Sequence, residues 1–274
     1  MKKQVLIWAI TSIVLGLVLL TNSLSFAQSS NEFTVPMSDP AKRGKLTARI
    51  NYGSITVKGT ARKDVLVKYS AAQDKEDKSG ETKDGLRRIG GGGMDLEVIE
   101  DNNIVRVSSD SWNNKLNLEI EVPSGMDLEV KTYNDGDLMI TNIQGEVELA
   151  NYNGGITALN ISGSVVATTF NGGIKVTFNT VTAGTPMSYT TYNGDIDITF
   201  PATLKATMRM KTERGDIYSG FDVDFKSSGP VQQKDTKSGV YKVVIDEWKR
   251  GDVNGGGPEI TMKNYNGDIY IRKK

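Results

Sequence analysis

Val147-Glu-Leu-Ala-Asn-Tyr-Asn-Gly-Gly-Ile156 reads as a short strand running into a tight corner. Val147, Leu149 and Asn151 alternate with Glu148, Ala150 and Tyr152, as residues must on a strand with one buried face. Asn-Gly then turns the chain, because Asn tolerates the left-handed region and Gly enters it at no steric cost. The unit recurs as Val165-Val-Ala-Thr-Thr-Phe-Asn-Gly-Gly-Ile174 and Met187-Ser-Tyr-Thr-Thr-Tyr-Asn-Gly-Asp-Ile196. Met208-Arg-Met-Lys-Thr-Glu-Arg-Gly-Asp-Ile217 and Ile260-Thr-Met-Lys-Asn-Tyr-Asn-Gly-Asp-Ile269 follow the same plan. Leu128-Glu-Val-Lys-Thr-Tyr-Asn-Asp-Gly-Asp-Leu138 has one extra corner residue, and residues 46–55 hold a degenerate copy turning at Asn51-Tyr52-Gly53-Ser54.

The aliphatic residue after the corner stands at 138, 156, 174, 196, 217 and 269, so the steps are 18, 18, 22, 21 and 52. Such a step suits one coil of a β-solenoid and is too short for a strand–helix–strand unit. The expected fold is therefore all-β: a parallel β-solenoid of about 18–22 residues per coil with two irregular excursions. An antiparallel meander or sandwich is the alternative, because Asn-Gly between alternating strands is also a hairpin signal. Regular copies are expected over residues 116–218 and 258–274. Residues 73–93, charged and ending in Gly90-Gly-Gly-Gly93, read as a mobile loop. Residues 220–258 form the second excursion, in which 221–225 and 240–245 are expected to pair as strands. No stretch after the N-terminal segment shows a helical period.

Stacked copies produce columns. Thr132, Asn151, Thr169, Thr191, Thr212 and Asn264 form an inward polar column. Each needs a partner, which the same residue one rung away, about 4.8 Å distant, would provide. Tyr133, Tyr152, Phe170, Tyr192 and Tyr265 form an outward aromatic column, interrupted in sequence order by Glu213, and are the candidate ligand-binding residues. Asp137, Asp195, Asp216 and Asp268 form a carboxylate column. Asp195 and Asp216 are expected on neighbouring rungs, roughly 5 Å apart, a separation that suits Ca²⁺ or paired-carboxylate chemistry. Capping of the turn by side-chain-to-backbone hydrogen bonds explains the same Asp residues without a ligand.

Composition narrows the chemistry. The 274 residues include no His and no Cys, which removes the usual general base, thiolate metal sites, disulfides and the Ser-His and Cys-His nucleophile systems. No residue is assigned a catalytic or cofactor-binding role. Gly90–Gly93 and Gly255–Gly257 are not followed by Lys-Ser/Thr and a helix, so they are connections rather than phosphate cradles. Arg214-Gly-Asp216 occupies an ordinary turn position of the repeat. Lys2 and Lys3, an apolar run to Leu20 and Ser25-Phe26-Ala27 read as a signal peptide over residues 1–27, leaving 28–274 as one β-repeat domain. An uncleaved anchor is the competing reading of that segment, and would be the chain's only membrane contact. Without Lys2 and Lys3, the 33 basic and 33 acidic residues tip to a slight negative excess, which gives no electrostatic case for nucleic acid.

Leu118-Glu-Ile-Glu-Val-Pro-Ser-Gly-Met-Asp-Leu-Glu-Val-Lys-Thr132, the Asn-Gly-Asp-Ile turns and the closing run from Gly255-Gly-Gly-Pro-Glu-Ile260 to Arg272 resemble the bacterial putative-adhesin family of β-strand repeats. The resemblance covers residue 45 to the end and implies a domain without a defined ligand. The expected function is a non-enzymatic, exported scaffold or binding module of the cell envelope, periplasmic, surface-bound or secreted, whose outward face meets a glycan or a protein. The alternative is a carbohydrate-active hydrolase or lyase on a β-helix, using Asp carboxylates.

Overall fold

A computed structural model describes residues 31–71, 95–226 and 248–274, together with Thr82–Lys83, Leu86–Arg87, Val231–Lys234 and Tyr241–Val244. Residues 1–27, read from the sequence as a signal peptide, lie outside the described residues. So does the loop expected over 73–93, apart from Thr82–Lys83 and Leu86–Arg87, which pair antiparallel. The described residues contain no helix.

The repeat folds as a two-walled parallel solenoid. Each coil lays one strand in an entry wall, turns the Asn-Gly corner and lays a second strand in an exit wall. Glu146–Ala150, for example, runs into the corner, and Ile156–Thr168 leaves it. The two do not pair with each other, as a hairpin would require. Instead Glu146–Ala150 pairs in parallel with Asp127–Lys131 on one side and with the second half of Ile156–Thr168 on the other. That long strand crosses over to become the next entry strand, and the antiparallel meander is thereby set aside.

Among the described residues eight rungs stack, and their spatial order is not their order in sequence. Ile104–Ser109 with Leu116–Pro123 comes first, and then Lys45–Ile50 with Ile55–Thr60. Asp127–Lys131 with Leu138–Thr141 follows, and after it the coils beginning at Glu146 and at Ser164. Met187–Thr190 with Ile196–Phe200 is next. Glu259–Asn266 with Ile269–Lys273 then lies on that rung, and Ala206–Arg214 with Ile217–Ser219 lies beyond it. The first and the last copies in sequence are thus both interior rungs.

The segments that broke the repeat cover the ends of the stack. Val65–Ala71 runs antiparallel on Leu116–Pro123 and carries Glu32–Val35 on its far side, while Leu96–Asp101 runs antiparallel on Ile104–Ser109. At the other end Lys249–Val253 runs antiparallel between Ala206–Arg214 and Val223–Lys226. The pairing expected between 221–225 and 240–245 is corrected. Val223–Lys226 takes Lys249–Val253, and Tyr241–Val244 takes Val231–Lys234. Tyr241–Val244 took a partner nearer in sequence than expected, and Val223–Lys226 one farther along the chain.

Alternate residues fill the space between the walls. Val147, Leu149, Ile156 and Ala158 of one coil lie over Val165, Ala167, Ile174 and Val176 of the next, all buried. Each fully buried Val, Leu or Ile contributes about 1.5–3 kcal/mol. Tyr189, Phe178 and Phe200 are the largest members, and the two phenylalanine rings stack at 5.3 Å.

Since residues 259–273 fill an interior rung, a chain ending at residue 258 would expose two unpaired edges in each wall. It should lose cooperative unfolding in a urea titration followed by circular dichroism. Removing residues 31–36 takes away only a four-residue edge strand, and should lower the midpoint while leaving the transition cooperative.

Candidate functional site

The corner is built on glycine because successive corners approach closer than a side chain permits. A Cβ on Gly154 would overlap the carbonyl oxygen of Gly136, one on Gly172 that of Gly154, and one on Gly215 that of Gly267. The same backbone-on-backbone contact recurs at Gly194 and Gly267, where the Cβ would stand 2.5 Å from the oxygen beneath. Gly194 also takes a φ of 131°.

The buried Thr/Asn column serves these carbonyls. Thr132 Oγ1 donates to the Gly53 carbonyl at 2.8 Å, Thr169 to Gly154 at 2.9 Å and Thr191 to Gly172 at 2.8 Å. Thr212 donates to Gly267 at 2.9 Å, and Asn151 Nδ2 to Gly136 at 2.9 Å. The partner expected from sequence, the same residue on the next rung, is therefore corrected. Each side chain instead reaches the glycine oxygen of the preceding corner and gives it a donor.

The corner asparagines form a second ladder that the sequence reading missed. Asn153 Nδ2 donates to Asn134 Oδ1 at 2.8 Å, Asn171 to Asn153 at 2.8 Å, Asn193 to Asn171 at 2.6 Å and Asn266 to Asn193 at 2.7 Å. The asparagines with positive φ among the described residues are Asn102, Asn103, Asn142, Asn160 and Asn254, none of them in this column. Asn stands at the corner for its amide, not for its tolerance of left-handed backbone. Its constant phase in every copy was the available signal.

The carboxylate column also differs from expectation. Asp268 lies between Asp195 and Asp216, so the two Ca²⁺ candidates are not on neighbouring rungs. Three of the four carboxylates bind the backbone of the adjoining rung. Asp137 Oδ1 accepts from Gly155 N at 2.7 Å, Asp195 Oδ1 from Asp268 N at 2.8 Å and Asp268 Oδ1 from Asp216 N at 2.9 Å. The Asp216 N–H, and after it the Tyr270 hydroxyl, hold the Asp268 carboxyl below its ordinary range. That same bond, 2.9 Å long, pushes Tyr270 up to about 12. Among the described residues no group of three or more His, Cys, Asp or Glu is arranged to hold a metal ion.

The aromatic column is continuous. Because the coil at 259–269 sits directly on that at 187–196, Tyr265 stacks on Tyr192 and Glu213 falls at the end of the row instead of interrupting it. Ring centroids are 4.7 Å apart from Tyr133 to Tyr152, 5.0 Å to Phe170, 4.8 Å to Tyr192 and 4.7 Å to Tyr265, with planes within 6° of parallel. Trp112 closes the Tyr133 end edge-on at 5.3 Å, and the Arg214 guanidinium covers Tyr265 at 5.4 Å. Sequence reasoning did not find these two ends: Trp112 stands outside the repeat phase, and Arg214 reads only as the corner residue of its own copy. Ring faces thus meet other groups throughout. Tyr133, Tyr152, Phe170 and Tyr192 are 38% to 42% exposed, and what they present outward is ring edges.

Beside the rings runs a trough of about 420 Å³ on the outer face of the entry wall, bordered by Tyr152, Phe170, Tyr192 and Tyr265. Its floor holds the short side chains Thr168 and Thr190, and its far end holds Lys263 and Glu213. Glu213 pairs with Lys211 at 2.8 Å. Toward the other end of this wall Glu129 binds Lys131 at 2.8 Å and Lys45 at 2.7 Å. Hydrogen bonds from Lys131 and then Lys45 hold its carboxyl down to about 2.

The sequence model of the Toastrack DUF4097 family matches residues 21–254. A solved putative cell adhesion protein from Clostridium sporogenes is similar at 13% identity, covering 89% of this chain and 100% of that one, with a TM-score of 0.46. A putative adhesin from Bacteroides fragilis is similar at 11% identity, covering 89% of this chain and 96% of that one, with a TM-score of 0.33. No curated protein sequence matches.

Adjacent glycines give opposite expectations. Gly154→Ala meets backbone and should fall at the severe end of the roughly 0.5–3 kcal/mol usual for single substitutions. Gly155→Ala places its Cβ 3.6 Å from its nearest neighbours and should be close to neutral, as urea midpoints would read. The Glu129 cluster sets an acid limit. Its folded pKa lies below the ordinary 4.5, so its contribution is complete above that value and is lost as pH falls toward about 2. Melting temperatures of the wild type and Glu129→Gln should therefore differ at pH 6 and converge between pH 4.5 and pH 2.

Proposed function

The chain belongs to the Toastrack DUF4097 family, and from the surface its coils present we propose that it is a non-enzymatic binding or scaffold module of the cell envelope. The observation that carries this reading is the outer face of the entry wall. There an unbroken row of ring edges borders a trough floored by Thr168 and Thr190. An exposed, contiguous aromatic patch with a polar border is the usual mark of an interaction surface.

The carboxylates support the same reading. An acid–base mechanism needs side chains free to exchange protons at a reacting bond. Asp137, Asp195 and Asp268 instead each commit an oxygen to a backbone N–H. Export is part of the proposal and rests on Lys2, Lys3, the apolar run and Ser25-Phe26-Ala27. The protein then works outside the cytoplasm, and its cores and ladders hold without disulfides, since the chain has no cysteine.

Co-sedimentation with purified cell-envelope fragments tests the proposal. The wild type should pellet, and Thr168→Lys combined with Thr190→Lys should stay in the supernatant. Thr157→Lys combined with Thr199→Lys, outward on the exit wall, should pellet like the wild type. Failure of the wild type to pellet, or equal loss in both pairs, overturns the reading. New reducing or unsaturated ends released from envelope polysaccharide overturn its non-enzymatic part.

A further inference from the structure

The trough runs along the stack axis, across strands rather than beside one. Its border repeats once per rung, at the 4.7–5.0 Å spacing of the rings, from Tyr152 to Tyr265. A ligand that uses the whole trough must repeat at that interval. An extended peptide advances about 3.3 Å per residue and sends alternate side chains to opposite sides, so it falls out of phase within two rungs. Nor can it add as a strand, because each of these entry strands is already paired on both sides. One pyranose of an extended polysaccharide advances its chain by roughly one rung.

The chemistry of the trough agrees with that repeat. Stacking leaves the rings' electropositive edges outward, suited to the lone pairs of sugar hydroxyl and ring oxygens. The Thr168 and Thr190 hydroxyls make no hydrogen bond among the described residues, whereas Thr169 and Thr191, one position on, are bonded to glycine carbonyls. Two adjacent rungs of the floor thus each offer a hydroxyl free to donate and accept, with Ala150 on the rung before them and Lys263 on the rung after. The floor carries no charge between the ion pairs at Glu129 and the Lys263 end, which gives a polyanion little to hold.

We infer that the trough is a row of subsites for a linear, neutral polysaccharide, bound lengthwise with about one sugar per rung across four rungs. The inference rests on the entry wall being the binding face. Recognition runs through ring edges and hydroxyls, because no ring face is open for a sugar to stack upon.

Calorimetric titration of the full-length mature protein with cello-oligosaccharides and chito-oligosaccharides of rising length tests it. Affinity for at least one series should climb with each added sugar up to about four or five and then level off. Thr168→Val combined with Thr190→Val removes two hydroxyls without changing shape, and should weaken the longest oligomer about tenfold or more with no change in melting temperature. Absence of heat with both series, or affinity that stops growing beyond two sugars, overturns the inference. If envelope binding still depends on Thr168 and Thr190 in that case, the face stands and its partner is not a linear glucan or chitin-like chain. If envelope binding is absent too, both readings fall.

Discussion

Backbone contact between glycines at the corner governs the rest of the molecule. Where Gly154 lies on Gly136 and Gly172 on Gly154, no side chain separates successive turns, so the corner keeps the same spacing as the hydrogen-bonded walls on either side. A bulkier residue there would splay the coils at one edge and curve the stack. With equal spacing all round, every side chain sits directly over its counterpart. The amide ladder, the ring stack and the carboxylate caps all follow from that one condition. The buried threonines complete it, because their hydroxyls reach the glycine carbonyls from inside.

Equal spacing also makes the coils interchangeable, which creates a problem of order. Any entry strand can pair with any other, since each offers the same parallel edge. The chain resolves this with segments that do not obey the repeat. Val65–Ala71 and Leu96–Asp101 close one end antiparallel, and Lys249–Val253 with Val223–Lys226 closes the entry wall at the other. Both terminal copies are thereby drawn inside. Covering these three parallel edges removes surfaces on which further chains would otherwise add.

How much of this was legible in the sequence depends on the range of the interaction. Strand alternation, the corner, the inward polar column and the outward aromatic one were readable, because each is set within ten residues of Val147 or its equivalents. Rung order was not. It depends on strands 50 or more residues apart, and two errors share that cause. Taking Ala206–Arg214 as the neighbour of Met187–Thr190 placed Asp216 beside Asp195 and put Glu213 in the middle of the aromatic row. Inserting Glu259–Asn266 between them corrects both at once. The threonine partners were misassigned for a local reason. The glycine oxygens come within reach only once the corners pack, and packing distance does not show in a residue pattern.

The amide ladder bears on how long the protein lasts. Asn followed by Gly is the sequence most prone to lose its amide, because the glycine nitrogen, unhindered, attacks the side-chain carbonyl, closes an imide and expels ammonia. Four such pairs stand in the ladder at Asn153, Asn171, Asn193 and Asn266. In each, the amide nitrogen is held by the neighbouring asparagine and the glycine N–H by a backbone carbonyl of the next rung. Neither attacker nor target can rotate into line while the stack is closed. The dipeptide that ages fastest in a free chain is thus kept from ageing by its own repetition, and intact amides at these positions are a record of uninterrupted folding.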